Sequence, residues 1–276
     1  MLAVTGGKGG CGKTTTALGL ARTLARRGHD PLVLDADCDM PDLHHLAGIK
    51  RTDGVDALAR GAPLSRVCQR PPSFPGVAVV TAGRPARTGP ALRATHDWEG
   101  PVLVDCPAGI GPDASRPLRQ ADATAVVSTD HPQCLDDTRR TVTAARQLDA
   151  PPVGVLLRTV TGRAAEVGGR VAGSPVLATL PDTDDPFDAP PLAQAWSTVA
   201  DHLLGPDNST DDTEAVDRRR SHTTDTASRI DRDQRQRRAR APREVSSKRV
   251  ATTRDQQRSD GGDRRAATNQ SRERRG

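Results

Sequence analysis

Ten residues near the beginning of the chain have the types and the spacing needed to hold a run of phosphates. Residues 6–15 read GGKGGCGKTT and fit the pattern G-x-x-x-x-G-K-[ST]. The glycines let the backbone bend until successive N–H groups point at one anion, and Lys13 adds a compact positive charge. The hydroxyl of Thr14 can ligate Mg²⁺, and we expect Thr15 to contact the α-phosphate. The pattern therefore predicts a loop that binds the phosphates of a nucleotide.

Such a loop lies between an apolar strand and a helix, and the sequence provides both. Residues 2–5 read LAVT, and small and apolar residues recur at helical spacing from Ala17 to Gly28. The N-terminal end of that helix would present its positive dipole to the anion. Apolar runs predict strands at 2–5, 32–35, 77–81, 101–105, 123–128, 153–157 and 176–180.

Helical stretches lie between these runs, including 135–148 and 192–204. Residues 82–100 are expected to form only a short connection, and residues 158–172 one brief helix. Alternating strands and helices predict an α/β fold of three layers, with a mostly parallel sheet of about seven strands. Ligands of such sheets bind outside the carboxyl ends of the strands, where the glycine and aspartate motifs fall.

Lys8 is a second lysine inside the loop, where an ordinary phosphate loop needs none. The segment KGGCGKT resembles the deviant Walker A motif of the MinD/ParA family of ATPases. Residues 32–39 resemble the family's second strand and switch I, and residues 102–109 its Walker B strand and switch II. Residues 121–129 and 175–181 resemble later strands, so the likeness covers about residues 1–204 in the family's order. The resemblance implies a P-loop NTPase fold.

The resemblance also implies roles for individual side chains. Lys8 would reach across a dimer interface to the nucleotide of the partner subunit, and Lys13 would neutralise charge on the transferred phosphate. Asp37 of switch I would position the attacking water. Asp105 would hold Mg²⁺ through water, and Asp35 would lie near the outer shell of the metal.

Switch II contributes Gly109, whose N–H could reach the γ-phosphate. The resemblance thus implies ATP and Mg²⁺ as cofactors, with Lys8, Lys13 and Asp37 as catalytic residues. The metal would be held by Thr14, Asp35 and Asp105. The predicted nucleotide contacts are Gly7, Lys8, Gly9, Gly10, Cys11, Gly12, Lys13, Thr14, Thr15 and Gly109.

Two features depart from the family's pattern. An Asn that reads the adenine edge usually precedes an Arg after the sixth strand, but here Leu157 stands before Arg158. Adenine recognition is therefore not visible in the sequence. Some MinD proteins end in an amphipathic helix that docks on a membrane, but residues 206–276 show no apolar face.

Composition separates the chain into two parts, 1–205 and 206–276. The second part holds 19 Lys and Arg against 13 Asp and Glu, and it contains no aromatic residue. It cannot bury enough apolar surface to offset the entropy of ordering, so we predict a disordered, Arg-rich tail. Its arginine clusters could bind DNA or another polyanion, although the interspersed acids dilute their charge.

The sequence points to a reduced, cytoplasmic protein. The five cysteines show no paired spacing typical of a disulfide framework or a zinc site. We see no signal peptide and no apolar run long enough to span a bilayer.

Three hypotheses for function follow. The first is a MinD/ParA-like ATPase that forms a homodimer with Mg-ATP and positions cellular cargo, such as a chromosome or plasmid, a division site or surface machinery. Hydrolysis in this family is slow without a partner, so an unidentified activating protein is implied. The second is a nucleotide-dependent regulatory binding module with little hydrolysis, acting on a transcriptional or motility partner. The third is biosynthetic ligation or metallocentre insertion on the same fold; no amidase-like region or C-x-x-C motif supports it.

Overall fold

The described strands form one sheet whose neighbouring strands are parallel except at one edge. The structure is a computed structural model that describes residues 1–204; the predicted tail, 206–276, lies outside the described residues. The order across the sheet is β3-β2-β4-β1-β5-β6-β8-β7. The strands are β1 (Leu2–Thr5), β2 (Leu32–Asp35), β3 (Ala78–Val80), β4 (Val102–Asp105), β5 (Ala123–Thr129), β6 (Pro152–Thr159), β7 (Arg170–Val171) and β8 (Ser174–Pro181).

Helices connect the strands and cover both faces of the sheet. The connections begin with α1 (Lys13–Arg26), α2 (Leu43–Leu46), α3 (Gly54–Ala59), α4 (Leu64–Val67) and α5 (Pro85–Ala94). They continue with α6 (Pro112–Leu118), α7 (Pro132–Gln147), α8 (Ala164–Val167) and α9 (Pro190–Leu204). The predicted three-layer, mostly parallel α/β fold is therefore confirmed.

Side-chain alternation along each strand divides the core into two layers. On β1, Leu2 and Val4 join the cluster that packs under α1 and α9. Ala3 points to the opposite face, into the cluster formed with α3, α5 and α6. The central strands are buried on both faces, which is why they read as continuous apolar runs rather than as alternating ones.

Two elements differ from the sequence-based prediction. Residues 85–94 form a ten-residue helix in place of a short connection, although Pro90 lies inside it. Burial of Thr88, Ala91 and Leu92 along one face accounts for the helix in spite of the backbone hydrogen bond that proline removes.

Strand β7 was also missed. It pairs antiparallel with β8 through a hairpin whose two central residues, Ala172 and Gly173, both have positive φ angles. Such turns usually carry Asn-Gly or Asp-Gly, so the Ala-Gly sequence gave no signal. Among residues 1–204, none of the helices combines the length and apolarity required to cross a membrane.

The phosphate-loop helix α1 is held in place by α9. Gly19 lies directly under the ring of Trp196, and a Cβ added there would lie 2.4 Å from the Cε2 atom of the indole. Arg22 of α1 also donates a hydrogen bond from its Nη1 atom to the carbonyl of Phe187 at 2.7 Å. Trp196 is only 2% exposed, so the ring has no room to move away from position 19.

Replacing Gly19 with Ala tests this packing. Alanine is the better helix former by about 1 kcal/mol, but overpacking a full core costs about 1–3 kcal/mol. We expect Gly19→Ala to lower the free energy of unfolding by about 1 kcal/mol or more, measured by urea denaturation followed by circular dichroism. Gly89→Ala is the matched control in α5, where the nearest atom would be 3.5 Å away, and it should be neutral or stabilising. Equal stability of the two variants would contradict the packing described.

Candidate nucleotide-binding site

The phosphate loop, residues 6–12, connects the carboxyl end of β1 to the beginning of α1. Gly10 and Gly12 have φ angles of +75° and +99°, which side chains with a Cβ rarely adopt. A Cβ placed on Gly9 or Gly10 would meet no atom within 4 Å, so this part of the loop is open to a ligand. The glycines thus provide both the bend and the space that a phosphate chain needs.

The first two glycines of the loop are required by packing. A Cβ on Gly6 would lie 2.5 Å from the carbonyl oxygen of Val127 in β5. A Cβ on Gly7 would lie 2.3 Å from the Cβ of Asp137 in α7. Strand β5 and helix α7 therefore press directly on the loop and fix where it leaves the sheet.

The N-terminus of α1 faces the loop without a cap of its own. Gly12 precedes the helix, no side chain accepts a hydrogen bond from its first turn, and that turn carries no acidic residue. The free N–H groups and the helix dipole therefore make this end of α1 attractive to an anion.

Two buried carboxylates lie side by side beneath the loop. Asp35 and Asp105 are opposite each other in the register of β2 and β4, at the carboxyl ends of both strands. Their exposed fractions are 0% and 1%. Asp105 forms a hydrogen bond with the side chain of Thr14 in the first turn of α1. All three predicted metal-binding residues, Thr14, Asp35 and Asp105, are therefore brought together by the fold.

Burial shifts the acidity of both carboxyl groups. Loss of solvent, reinforced by the charge of Asp105, raises the pKa of Asp35 to about 8. Loss of solvent raises the pKa of Asp105 to about 7, and the hydrogen bond to Thr14 and the charge of Lys13 oppose that rise. Without a cation beside them, these groups hold protons at a pH where ordinary aspartates are ionised.

The donor set fits a hard divalent cation. The Oδ2 atom of Asp35 and the Oδ1 atom of Asp105 are buried and have no hydrogen-bond partner within the described residues. Carboxylate and hydroxyl oxygens suit Mg²⁺, which takes few protein ligands and completes its shell with water and phosphates. Residues 1–204 contain no group of three or more His, Cys, Asp or Glu side chains that could hold a metal by themselves.

Lys13 and Lys8 occupy opposite environments. The side chain of Lys13 is buried in the first turn of α1, and its charge acts on Asp105 and Cys11. Lys8 is exposed in the middle of the loop, and no ion pair or hydrogen bond of its side chain is present within residues 1–204. Cys11 is buried with its thiol toward Gly6, and Thr15 is half-buried at the helix start.

Asp37 organises the loop that follows β2. Its N–H donates to the Oδ1 atom of Asp35 at 3.0 Å, and its own Oδ1 atom accepts from the N–H of Met40 at 3.1 Å. The side chain is half-buried at the same sheet edge as the phosphate loop. Residues 35–39, which we call switch I, are thus tied at one end to the buried carboxylate pair.

Switch II, residues 105–109, contacts the phosphate loop directly. The N–H of Gly109 donates to the carbonyl of Gly6 at 3.0 Å, and the φ angle of Gly109 is +86°. The predicted γ-phosphate contact of Gly109 would require this hydrogen bond to be exchanged. This backbone hydrogen bond therefore links switch II to the loop.

The end of β6 contributes a residue that sequence reasoning left without a role. Leu157, which stands where an adenine-reading amide is expected, is 1% exposed. The next residue, Arg158, donates from its Nη1 atom to the carbonyl of Gly10 at 3.0 Å and from its Nε atom to Asp182 at 3.1 Å. The contact joins residues 148 positions apart, so no local pattern in the sequence could reveal it.

Comparison with known proteins gives the same assignment as the fold and the loop. The family model for the CobQ/CobB/MinD/ParA nucleotide-binding domain matches residues 2–191. An uncharacterised ATP-binding protein of Methanocaldococcus jannaschii is 30% identical over 234 residues, which cover 74% of this chain and 87% of that protein. The septum site-determining protein MinD of Synechocystis is 23% identical over 192 residues, covering 65% of this chain and 72% of that protein.

A solved structure of MinD from Pyrococcus horikoshii, complexed with Mg-ADP, shares the fold with a TM-score of 0.64 at 23% identity. The match covers 74% of this chain and 95% of that one. The resemblance predicted from the two-lysine loop is therefore confirmed. Since the family model spans most of the chain, and a relative is 30% identical over most of both proteins, this chain belongs to the CobQ/CobB/MinD/ParA nucleotide-binding domain family.

Proposed function

We propose that this protein is a Mg-dependent ATPase that dimerises when it binds ATP and acts as a nucleotide-dependent switch in cellular positioning. The observation that carries the proposal is the contrast between the two loop lysines. Lys13 is buried beside Asp105, where it can neutralise a bound phosphate, whereas Lys8 is exposed and unpaired within the described residues. A cation that has no partner among residues 1–204 is available to the nucleotide of a second subunit.

Exposed apolar side chains at the same edge of the sheet support a subunit contact there. Within the described residues, four large apolar side chains are exposed, and two of them adjoin the switches. Met40 follows switch I and is 77% exposed, and Ile110 follows switch II and is 48% exposed. Exposed apolar residues beside a charged site are typical of protein interfaces.

The proposed reaction is ATP hydrolysis. The amides of residues 7–12, the N-terminus of α1 and Lys13 would bind the phosphates, and Thr15 would contact the α-phosphate. Thr14, Asp35 and Asp105 would hold Mg²⁺, directly or through water. The ion, when bound, neutralises charge on the phosphates. Asp37 would orient a water molecule for attack on the γ-phosphate, and Lys8 of the partner subunit would stabilise the charge that develops.

The relatives support these cofactors, since one is named as an ATP-binding protein and the MinD structure contains Mg-ADP. We assign this activity to residues 1–205 and place the protein in the cytoplasm. An activating partner protein and a cargo such as a chromosome, a plasmid, a division site or surface machinery complete the proposal.

A regulatory binding module with little hydrolysis is the second candidate. The hydrogen bond from Gly109 to Gly6 favours it, because the switch II amide that would sense the γ-phosphate is already occupied. The first candidate hydrolyses ATP slowly without its partner, so dimerisation with ATP and a phosphate-release rate that Asp37→Asn leaves unchanged would support this candidate against the first.

The two lysines should separate binding from dimerisation. We expect Mg-ATP to convert the wild type to a dimer in light scattering coupled to size exclusion. Lys8→Ala should still bind the nucleotide but remain monomeric, because it loses only the contact across the interface. Lys13→Ala should lose nucleotide affinity by more than tenfold, since a charge-assisted contact is worth about 1.5–3 kcal/mol.

Lys50→Ala is the matched control, because Lys50 is exposed and lies outside the loop. It should dimerise like the wild type. A wild type that binds ATP and stays monomeric would refute the role of Lys8, and a dimer formed by Lys8→Ala would do the same.

The proposed role of Asp37 is tested in switch I. Asp37→Asn keeps an oxygen that can accept from Met40 but removes the carboxylate that orients water. We expect phosphate release to fall about 100-fold or more, with dimerisation retained. Asp39→Asn, two residues away and exposed, should change the rate little. Equal rates for the Asp37 variant and the wild type would exclude Asp37 from the chemical step.

The buried carboxylate pair predicts how stability depends on pH. In the unfolded chain both aspartates titrate near pH 4, whereas in the folded protein their pKa values are raised to about 8 and about 7. Between the pKa values of the unfolded and the folded state, the folded protein binds more protons than the unfolded chain. The free energy of unfolding should therefore fall as pH rises from 5 to 8. Urea denaturation without nucleotide and with a chelator measures this slope.

Asp105→Asn removes one of the two buried charges, so its stability should fall less over the same interval. Asp39→Asn should follow the wild-type slope, since Asp39 is exposed. Identical slopes for Asp105→Asn and the wild type would contradict the raised pKa of Asp105.

A further inference from the structure

Arg158 connects the end of β6 to the phosphate loop. Its Nη1 atom donates to the Gly10 carbonyl at 3.0 Å, while its Nε and Nη2 atoms donate to the same carboxylate oxygen of Asp182. The side chain is 32% exposed and that of Asp182 is 51% exposed. One guanidinium thus joins the loop to the residue that follows β8.

The strand determines which side chain reaches the loop. Along β6, Leu156 belongs to the core layer under α1 and α9, and Arg158 shares its face because side chains alternate. The Cδ atom of Arg158 lies 4.0 Å from the position that a Cβ on Gly12 would occupy. Leu157 points to the opposite face. The polar group that this strand presents to the phosphate loop is therefore the guanidinium of Arg158.

The contacted carbonyl controls a loop amide. The carbonyl of Gly10 and the N–H of Cys11 belong to one planar trans peptide, so the two groups point in opposite directions. A donor that holds the carbonyl on the Arg158 side fixes the direction of that N–H. Gly10 has a φ angle of +75° and no neighbouring atom within 4 Å of a Cβ position, so packing holds this peptide only on the side of the buried Cys11.

We propose that Arg158 is a positioning residue for phosphate binding, which braces the Gly10 peptide against Asp182 and holds residues 9–12 in the conformation that binds phosphate. The inference rests on the proposed function and adds a residue to the phosphate site. Asp182 fixes the guanidinium through two of its N–H groups, leaving the third nitrogen for the carbonyl. Without the brace, the glycines sample other conformations, and the nucleotide must order them on binding.

The proposal predicts a loss of affinity for the phosphates of the ligand that does not depend on whether a base is present. Mg-ADP binding is measured by calorimetry, and Mg-pyrophosphate binding is measured by competition against it. We expect Arg158→Ala to weaken both ligands by the same factor, about tenfold, as for a hydrogen bond from a charged donor that is partly exposed. Asp182→Asn should weaken both about threefold, since Arg158 remains but is less firmly held. Arg158→Lys keeps the positive charge but lacks the planar guanidinium that bonds two partners at once, so it should recover only part of the lost affinity.

Arg163→Ala is the matched control, because Arg163 is an exposed arginine just beyond β6 that pairs with Glu166. It should bind both ligands like the wild type. Asp182→Asn changes an exposed side chain, so it keeps the test valid if Arg158→Ala unfolds.

Three outcomes overturn the brace. Unchanged affinities in both Arg158→Ala and Asp182→Asn do so directly. A loss confined to Mg-ADP would show that Arg158 contacts the base or the sugar instead. A wild type that binds neither ligand would refute the proposed function and, with it, the positioning role of Arg158. If the wild type binds both ligands and the variants bind them equally well, only the positioning role is refuted.

Discussion

The structure depends on an electrostatic arrangement at the carboxyl edge of the sheet, where two buried aspartates lie under the positive end of a helix. Asp35 and Asp105 are forced together by the register of β2 and β4. Their burial is costly unless a cation shares the site. Lys13 and Thr14, in the first turn of α1, offset part of that cost. The remaining carboxylate oxygens are left without partners within the described residues, which makes the site receptive to a divalent ion.

The rest of the fold holds the two halves of this arrangement in place. Helix α1 is fixed from outside by Trp196 of α9, which packs on Gly19 without space for a methyl group. The phosphate loop is fixed from the other side by β5 and α7, which approach Gly6 and Gly7 too closely for any side chain. The loop therefore has rigid ends and an open middle, at Gly9 and Gly10, where the nucleotide would bind.

Three hydrogen bonds connect the surrounding loops to this region, and two of them come from distant parts of the chain. Gly109 of switch II binds the Gly6 carbonyl, Asp37 of switch I binds back to Asp35, and Arg158 binds the Gly10 carbonyl. Each involves a backbone group next to a proposed phosphate or metal contact. These hydrogen bonds would transmit a change in one loop to the proposed nucleotide site, as the proposed switch requires.

Local patterns in the sequence predict the phosphate loop, the two lysines and the strand ends that carry aspartates. Glycine spacing and apolar runs are local features, so the three-layer fold, the family and most strand positions could be predicted from them. Helix α5 and strand β7 could not, because Pro90 and the Ala-Gly turn are weak local signals that tertiary packing overrides.

Which groups face one another depends on the tertiary packing. The pairing of Asp35 with Asp105 depends on the register between strands 70 residues apart in the chain. The glycine requirement at positions 7 and 19 depends on helices α7 and α9, and the contact of Arg158 with Gly10 spans 148 residues. Such contacts follow from how the layers pack, and no local periodicity encodes them.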